Sequence, residues 1–258
     1  METWRSAIVD AGPDHIRVRG RDVLDLMRGA TFTDLIFLLH HERVPTAAER
    51  RLIDAILIGS ADHGAGAPSC AAARLAASGN RQSPSAAIAA GVLTIGDEHG
   101  GAGSSCMALI AAGLERARRE SLSLDEAADR VVDEARAARA RVPGFGHRVH
   151  ATIDPRVAVL FGLAEDGGLA GDGIRFVRAL ERAIRERIKP LPINIDGALA
   201  AILVDLGFPP MMGLLLFVIA RVAGISAEVL EEHVREKPMR IRIPVEYDGP
   251  APQAEGKG

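Results

Sequence analysis

Two segments in the second half of the chain, 194–206 and 211–222, are apolar on nearly every side. Such segments are usually helices that lie in a core or at a subunit interface. The composition agrees, because only 3% of residues are aromatic and Ala and Leu dominate, whereas strands favour aromatic and β-branched residues. We therefore predict an all-α fold in which both segments form buried helices.

Two capping boxes predict where further helices begin. Thr46 and Glu49 fit the first box, and Ser123 and Glu126 fit the second, whose helix should end near the Pro and Gly of 142–144. A regular apolar stripe with arginines on the opposite face also predicts a helix over 174–188.

Signals for strands are weak. No segment shows sustained alternation of apolar and polar residues, although RIRIPVEY at 240–247 could form a short strand. The composition of 250–258 is typical of a disordered tail. A chain of 258 residues can form one large domain or two smaller ones.

Charge and composition exclude several classes of function. A net charge of −3 and few aromatic residues argue against nucleic-acid binding. The apolar run at 209–220 stops at Arg221, short of the ~20 residues that span a bilayer. The N-terminus lacks a secretory signal pattern. We therefore expect a cytoplasmic protein without a membrane segment, in which Cys70 and Cys106 are free buried thiols.

Three histidines lie next to glycine: His63 in SADHGAG, His99 in GDEHGGAG and His147 in PGFGHRVH. Glycine lets a ligand approach the backbone closely, and histidine is well suited to proton transfer near neutral pH. One such histidine would usually be a turn residue. Three in similar settings favour a catalytic site.

Two charged residues interrupt the apolar segments. Asp196 begins the first segment and Arg221 lies within the second, and burying an unpaired charge is costly. One interpretation is that they form a mutual or local salt bridge. The other is that Asp196 is a base in a dry site and Arg221 binds a carboxylate.

Metal and nucleotide motifs are weak or absent. His147 and His150 have a possible ligand spacing, and Asp97 and Glu98 precede His99, but the sequence has no HExxH motif or paired CxxC. It also lacks a Walker motif, GxSxG and GxGxxG. We therefore expect no metal site.

Taken in order, these motifs resemble the citrate synthase family, and the likeness covers most of the chain. The most specific signal is GFGHRV, followed by DPR and then by NID. The other matching stretches are RGRDVLDLM, FLLHHERVPTAAERRLIDAIL, ADHG, LTIGDEHGGAG and IARVAGI.

The chain is shorter than a typical citrate synthase and in this respect is similar to the citryl-CoA lyase module of ATP-citrate lyase. Gly64 follows His63 at a position where synthases usually have Glu, and this also favours the lyase module. His99 points towards the synthase, because that module can have an apolar residue there. The resemblance thus favours citryl-CoA lyase, with citrate synthase acting on oxaloacetate or another 2-oxo acid as the alternative. A non-catalytic CoA- or carboxylate-binding paralogue and a metal-dependent hydrolase are further alternatives.

The resemblance implies three catalytic residues. In the direction of synthesis, Asp196 would remove a methyl proton from acetyl-CoA while His99 holds the thioester oxygen, and His147 would polarise the ketone of oxaloacetate. In cleavage, His147 would take the hydroxyl proton of citryl-CoA and Asp196 would protonate the acetyl carbon. The resemblance also implies residues that bind the dicarboxylate and CoA. Those for the dicarboxylate are His63, Arg156, Arg221 and Arg242, and those for CoA are Gly144, Phe145, Gly146 and Arg148.

The family also implies a large helical domain, a smaller one and an active-site cleft between them. By this analogy the small domain is 106–188, and the large domain comprises 1–105 and 189–258. We expect a homodimer or higher homo-oligomer that uses a coenzyme A thioester as substrate and needs no other cofactor. A separate citrate–CoA ligase could be a partner. In some members the arginine that corresponds to Arg242 comes from the neighbouring subunit.

Overall fold

The computed structural model describes residues 3–146 and 154–250, and these form mainly helices. The helices are α1 Val23–Gly29, α2 Phe32–His41, α3 Ala47–Ala61, α4 Pro68–Gly79, α5 Pro84–Leu93, α6 Ala102–Arg119, α7 Leu124–Ala137, α8 Pro155–Asp166, α9 Asp172–Arg187, α10 Ile195–Asp205 and α11 Met212–Arg235. The strands are β1 Val9–Gly12, β2 His15–Val18 and β3 Arg21–Asp22. The all-α prediction is confirmed, apart from this small sheet.

The three strands were not predicted. They form an antiparallel sheet in the order β1-β2-β3, with Val9 opposite Val18 and Gly12 opposite His15. Each strand has only two to four residues, and most of them are exposed, so no buried face imposes an alternating pattern.

The strand predicted at 240–247 is wrong. This segment is irregular and is fastened to helices instead of a sheet edge. The Met239 N–H donates to the Ser78 carbonyl of α4, and Arg240 forms an ion pair with Glu232 of α11.

Both predicted capping boxes are present. Thr46 and Glu49 cap α3, and Ser123 and Glu126 cap α7, with reciprocal side-chain and backbone hydrogen bonds in each box. Helix α7 ends at Ala137, earlier than the predicted end near 142–144. The helix predicted over 174–188 is confirmed as α9, which begins slightly earlier, at Asp172.

The two apolar segments form α10 and α11, as predicted. Helix α10 is buried along most of its length. Helix α11 is longer than predicted, and among the described residues it alone is long and apolar enough to cross a membrane, by length and composition. A core helix passes the same test, and α11 packs against α3, α4, α5 and α6 with Arg221 buried in its middle.

Two hydrophobic cores are present in the described chain. The larger core includes residues of α2, α3, α6 to α10 and the beginning of α11. The smaller core joins α4, α5 and the later part of α11 through Ala73, Ala77, Ala87, Ile225 and Val229. The larger core extends across residues 106 and 188, and the proposed domain boundaries there stay a prediction. Cys70 and Cys106 are free and buried, as expected.

Replacing Asp205 by Ala should destabilise the fold. This carboxylate, at the end of α10, accepts hydrogen bonds from the N–H groups of Gly171, Gly173 and Ile174 at 2.6–3.0 Å and so caps α9. Its loss leaves part-buried donors unpaired, and we expect the free energy of unfolding to fall by about 2–4 kcal/mol. Urea titration measures this. The control Asp172→Ala removes an exposed carboxylate from the same helix end and should change it by less than about 0.5 kcal/mol. Equal losses in both variants would contradict the assignment.

Candidate active site

His99 lies in the tight connection between α5 and α6. The Ser69 N–H points at Nε2 of His99 over 3.4 Å, and Ser69 Oγ lies 2.9 Å from the same nitrogen. Because a backbone N–H can only donate, Nε2 must accept, and the ring proton of neutral His99 is assigned to Nδ1. His99 can therefore present an N–H donor to a ligand.

The position after His99 requires glycine. Gly100 has a φ of +85°, and a Cβ there would lie 2.3 Å from the Phe217 ring. That ring meets the His99 ring edge to face, with 6.0 Å between centroids. The glycine next to this histidine thus allows α11 to pack against the imidazole.

Arg221 is buried beside the same serine. Its Nε donates to the Ser60 carbonyl at 3.0 Å, one terminal nitrogen lies 3.4 Å from Ser69 Oγ, and its guanidinium lies 4.8 Å from the centre of the Phe217 ring. No carboxylate in the described part of the chain forms an ion pair with Arg221. The predicted salt bridge with Asp196 is therefore not formed there, and the guanidinium retains donors for an anion.

The positive charge of Arg221 also affects His99. Burial lowers the pKa of His99, and the nearby charges of Arg221 and His63 lower it further. His99 therefore stays neutral over a wider pH range than an exposed histidine. A neutral ring is also what the contact with Ser69 requires, because Nε2 of His99 accepts the Ser69 N–H there.

Asp196 lies in the first turn of α10. Its Oδ1 is buried and has no hydrogen-bond partner among residues 3–146 and 154–250. Burial raises the pKa of Asp196, and Asp154 adds to this, whereas the positive charges of Arg156 and Arg221 oppose it. A carboxyl group with one unpaired oxygen and a raised pKa is suited to exchange a proton with a ligand.

Arg156 is held close to Asp196 by the beginning of α8. The carboxylate of the buried Asp154 binds two nitrogens of Arg156, at 3.0 and 2.8 Å, and a third nitrogen donates to the Gly59 carbonyl at 3.1 Å. The Arg156 side chain remains 25% exposed. The guanidinium is thus fixed in orientation while part of it stays open to a ligand.

The turn 144–146 packs against the beginning of α10. Gly144 has a φ of +88°, and a Cβ there would lie 2.7 Å from Cys106 Sγ and 2.8 Å from the Gly197 Cα. The Gly146 N–H donates to the Pro192 carbonyl at 2.8 Å. That donor is therefore engaged, and a role of Gly144, Phe145 and Gly146 in CoA binding stays a prediction.

The structure does not bring every predicted residue into one site. His63, His99, Arg156, Asp196 and Arg221 are close enough to influence one another electrostatically. Arg242 is exposed and forms no hydrogen bond or ion pair with the rest of the described chain. The predicted residues His147 and Arg148 lie outside the described residues.

Sequence reasoning missed Ser69, Asp154 and Asn194. Ser69 and Asp154 orient His99 and Arg156, and Asn194 caps α10 by accepting from the Gly197 N–H at 3.1 Å. The polar residue directly before an apolar helix was a usable signal for Asn194. No local pattern distinguishes Ser69, because its partner lies 30 residues away.

One group of possible metal ligands is found among the described residues. Asp62, Cys70 and Glu228 offer ligand atoms that all lie within 4.8 Å of one another. The Cys70 thiol donates to Asp62 Oδ2 at 3.3 Å, and burial raises its pKa. This proton would have to leave before the sulfur could bind a metal ion well.

Comparison with known proteins shows the family of this chain. The family model described as "Citrate synthase, C-terminal domain" matches residues 46–242. Citrate synthase from Helicobacter pylori is 31% identical over 244 residues, which make up 90% of this chain and 54% of that protein. The chain belongs to the citrate synthase family, and it spans about half the length of the curated relatives it matches.

Solved structures show the same fold. The citryl-CoA lyase from Hydrogenobacter thermophilus is 34% identical, with a TM-score of 0.88 over 98% of this chain and 97% of that one. ATP citrate lyase from Methanosaeta concilii, in complex with (3S)-citryl-CoA, is 20% identical, with a TM-score of 0.79. This likeness covers 97% of this chain and 42% of that one, and at this identity it shows the fold alone.

Proposed function

We propose that this protein is a citryl-CoA lyase, which cleaves citryl-CoA to acetyl-CoA and oxaloacetate. The observation that carries the proposal is the likeness to the Hydrogenobacter citryl-CoA lyase over nearly the whole length of both chains, at 34% identity. The curated relatives named citrate synthase are about one and a half times as long. Their names and the presence of His99 support citrate synthase as the second candidate.

Cleavage breaks the bond between the acetyl methylene carbon and the carbon that bears the hydroxyl group. By the family resemblance, His147 takes the hydroxyl proton, and the hydroxyl carbon becomes the ketone of oxaloacetate. The electron pair of the broken bond passes into an enolate of acetyl-CoA. The Nδ1–H of His99 would donate to the enolate oxygen, as a fixed donor in a partly buried site does effectively.

Asp196 would complete the reaction by giving its proton to the enolate carbon. Burial favours its neutral form, so Asp196 is suited to hold a proton until the carbanion forms. In condensation the same carboxylate would act as the base. The site therefore supports both directions of one reaction, and an intact Asp196 and His99 argue against the non-catalytic paralogue.

Arginine and histidine side chains would bind the carboxylates of the substrate. Arg221 has no carboxylate partner in the described ranges, and Arg156 is oriented by Asp154. His63 is exposed next to His99. We further propose a homo-oligomer in which the exposed Arg242 reaches the site of a neighbouring subunit. A citrate–CoA ligase partner and a cytoplasmic location belong to the same proposal.

The test is to mix the purified protein with citryl-CoA and to follow oxaloacetate through NADH oxidation by malate dehydrogenase. We expect rapid release, insensitive to a chelator and reduced at least about 100-fold in His99→Ala. The control His15→Ala changes a histidine that pairs with Asp10 in the N-terminal sheet and should keep the full rate. No release, together with rapid condensation of acetyl-CoA and oxaloacetate, would favour citrate synthase. Activity in neither assay would reject both.

A further inference from the structure

Asn194 contacts two parts of the site at once. Its side-chain oxygen accepts from the Gly197 N–H at 3.1 Å and so caps α10, which contains Asp196. Its side-chain nitrogen donates to the Gly146 carbonyl at 2.8 Å. Only one orientation of the amide satisfies both partners, because an N–H needs an acceptor and a carbonyl needs a donor.

Backbone contacts fasten the same two parts together. The Asn194 N–H donates to the Gly144 carbonyl at 3.0 Å, and the Gly146 N–H donates to the Pro192 carbonyl at 2.8 Å. The two backbones pack in direct contact, since a Cβ on Gly197 would lie 2.3 Å from the Gly144 oxygen. The turn 144–146 and the beginning of α10 therefore form one unit.

We infer that Asn194 is a positioning residue that fixes the turn ending at Gly146 relative to Asp196. In the sequence, Gly146 directly precedes His147, which the family resemblance makes a catalytic residue. The inference rests on the proposed function for its effect on rate. Its structural part, that the Asn194 amide tethers the turn, can be tested without any substrate.

Asn194→Asp separates the two contacts of the amide. The carboxylate still accepts from the Gly197 N–H, and Asp is as good a helix cap as Asn. It has no donor for the Gly146 carbonyl, and two oxygens would face each other there. We expect kcat to fall about 10- to 100-fold with KM changed less than about threefold, since a displacement of about 1 Å can cost 100-fold in rate. The melting temperature should change by only a few degrees.

Hydrogen exchange measures the tether directly. In Asn194→Asp the Gly146 amide should exchange about tenfold faster than in the unaltered protein, whereas amides in the middle of α10 should keep their protection. If Asn194→Asp does not fold, Asn194→Ser retains the cap, and its side chain is too short to reach Gly146. The control Ser123→Ala removes the cap of α7 outside the site. It should lower the melting temperature and leave kcat and the Gly146 amide unchanged.

Unchanged exchange at Gly146 would overturn the tether, and unchanged kcat in an active protein would overturn its role in positioning. A loss of kcat that only follows a loss of thermal stability, as in a merely structural role, would also overturn it. If the unaltered protein cleaves no citryl-CoA but exchange at Gly146 rises in Asn194→Asp, the proposed function fails and the tether is supported.

Discussion

Asp196→Asn should reduce turnover of citryl-CoA about 1,000-fold and make the folded protein more stable at neutral pH. The rate falls because the amide cannot exchange the proton that the acetyl carbon requires. Stability rises because the variant removes a buried charge, and a buried carboxylate with one unpaired oxygen costs about 1–3 kcal/mol or more. Steady-state kinetics and thermal melts at pH 7 measure the two effects.

The gain in stability should depend on pH. The pKa of Asp196 is raised in the folded protein from an ordinary value of 3.8, so the folded state binds a proton more tightly than the unfolded state does. This contribution to stability is fully present below pH 3.8 and is lost as the pH rises through the folded pKa. The advantage of Asp196→Asn should therefore shrink towards pH 4. The control Asp172→Asn removes an exposed carboxylate and should change neither rate nor melting temperature by much. A variant that is less stable than the unaltered protein at pH 7 would contradict this account of Asp196.

Arg221→Met should leave the protein folded and weaken binding of a dicarboxylate about 100- to 1,000-fold. Met fills a similar volume, and because Arg221 has no carboxylate partner in the described chain, its removal leaves no ion-pair partner buried without compensation. The loss of affinity reflects the loss of charge-assisted hydrogen bonds to a carboxylate. Calorimetric titration with oxaloacetate measures it.

The same variant should raise the pKa of His99, because the charge of Arg221 lowers it. Titration of the His99 ring by NMR would detect this change without any turnover. Arg74→Met is the matched control, since Arg74 is also buried but pairs with Glu228, Glu231 and Glu232. Its loss leaves the half-buried Glu228 without its ion-pair partner, although Arg235 still pairs with Glu231 and Arg240 with Glu232, so it should cost about 3 kcal/mol of stability. Unchanged affinity for oxaloacetate in Arg221→Met would show that Arg221 does not bind the dicarboxylate.

The sequence was sufficient to predict most helices because their signals are local. A capping box such as Thr46 and Glu49 lies within one turn, and the stripe of α9 repeats within the same segment. The strands β1 to β3 were missed because they are short and exposed. Elements without a buried face leave little trace in a pattern of apolar residues.

Site residues could be predicted from the sequence where their polarity differs from that of the residues around them. Asp196 and Arg221 stand out because they are charged within apolar helices, and His99 stands out among glycines. Ser69 has no distinguishing local pattern, and the position of Asn194 before an apolar helix indicates a helix cap but not its contact with Gly146. Their roles depend on partners 30 and 48 residues away, so only the folded chain shows them.

The two hydrophobic cores have a consequence for how this site can change. Ser69 and Arg221 belong to the pair α4 and α11, which meet at Ala73 and Ile225 in the smaller core, whereas Asp196 stands on α10 in the larger one. Two groups that would hold the substrate thus stand where α4 and α11 pack together, and the group that would move its proton stands on α10, while α11 itself takes part in both cores and joins them. A larger apolar residue at Ala73 would press α4 away from α11 and so change the spacing between Ser69 and Arg221, although it would never touch the substrate.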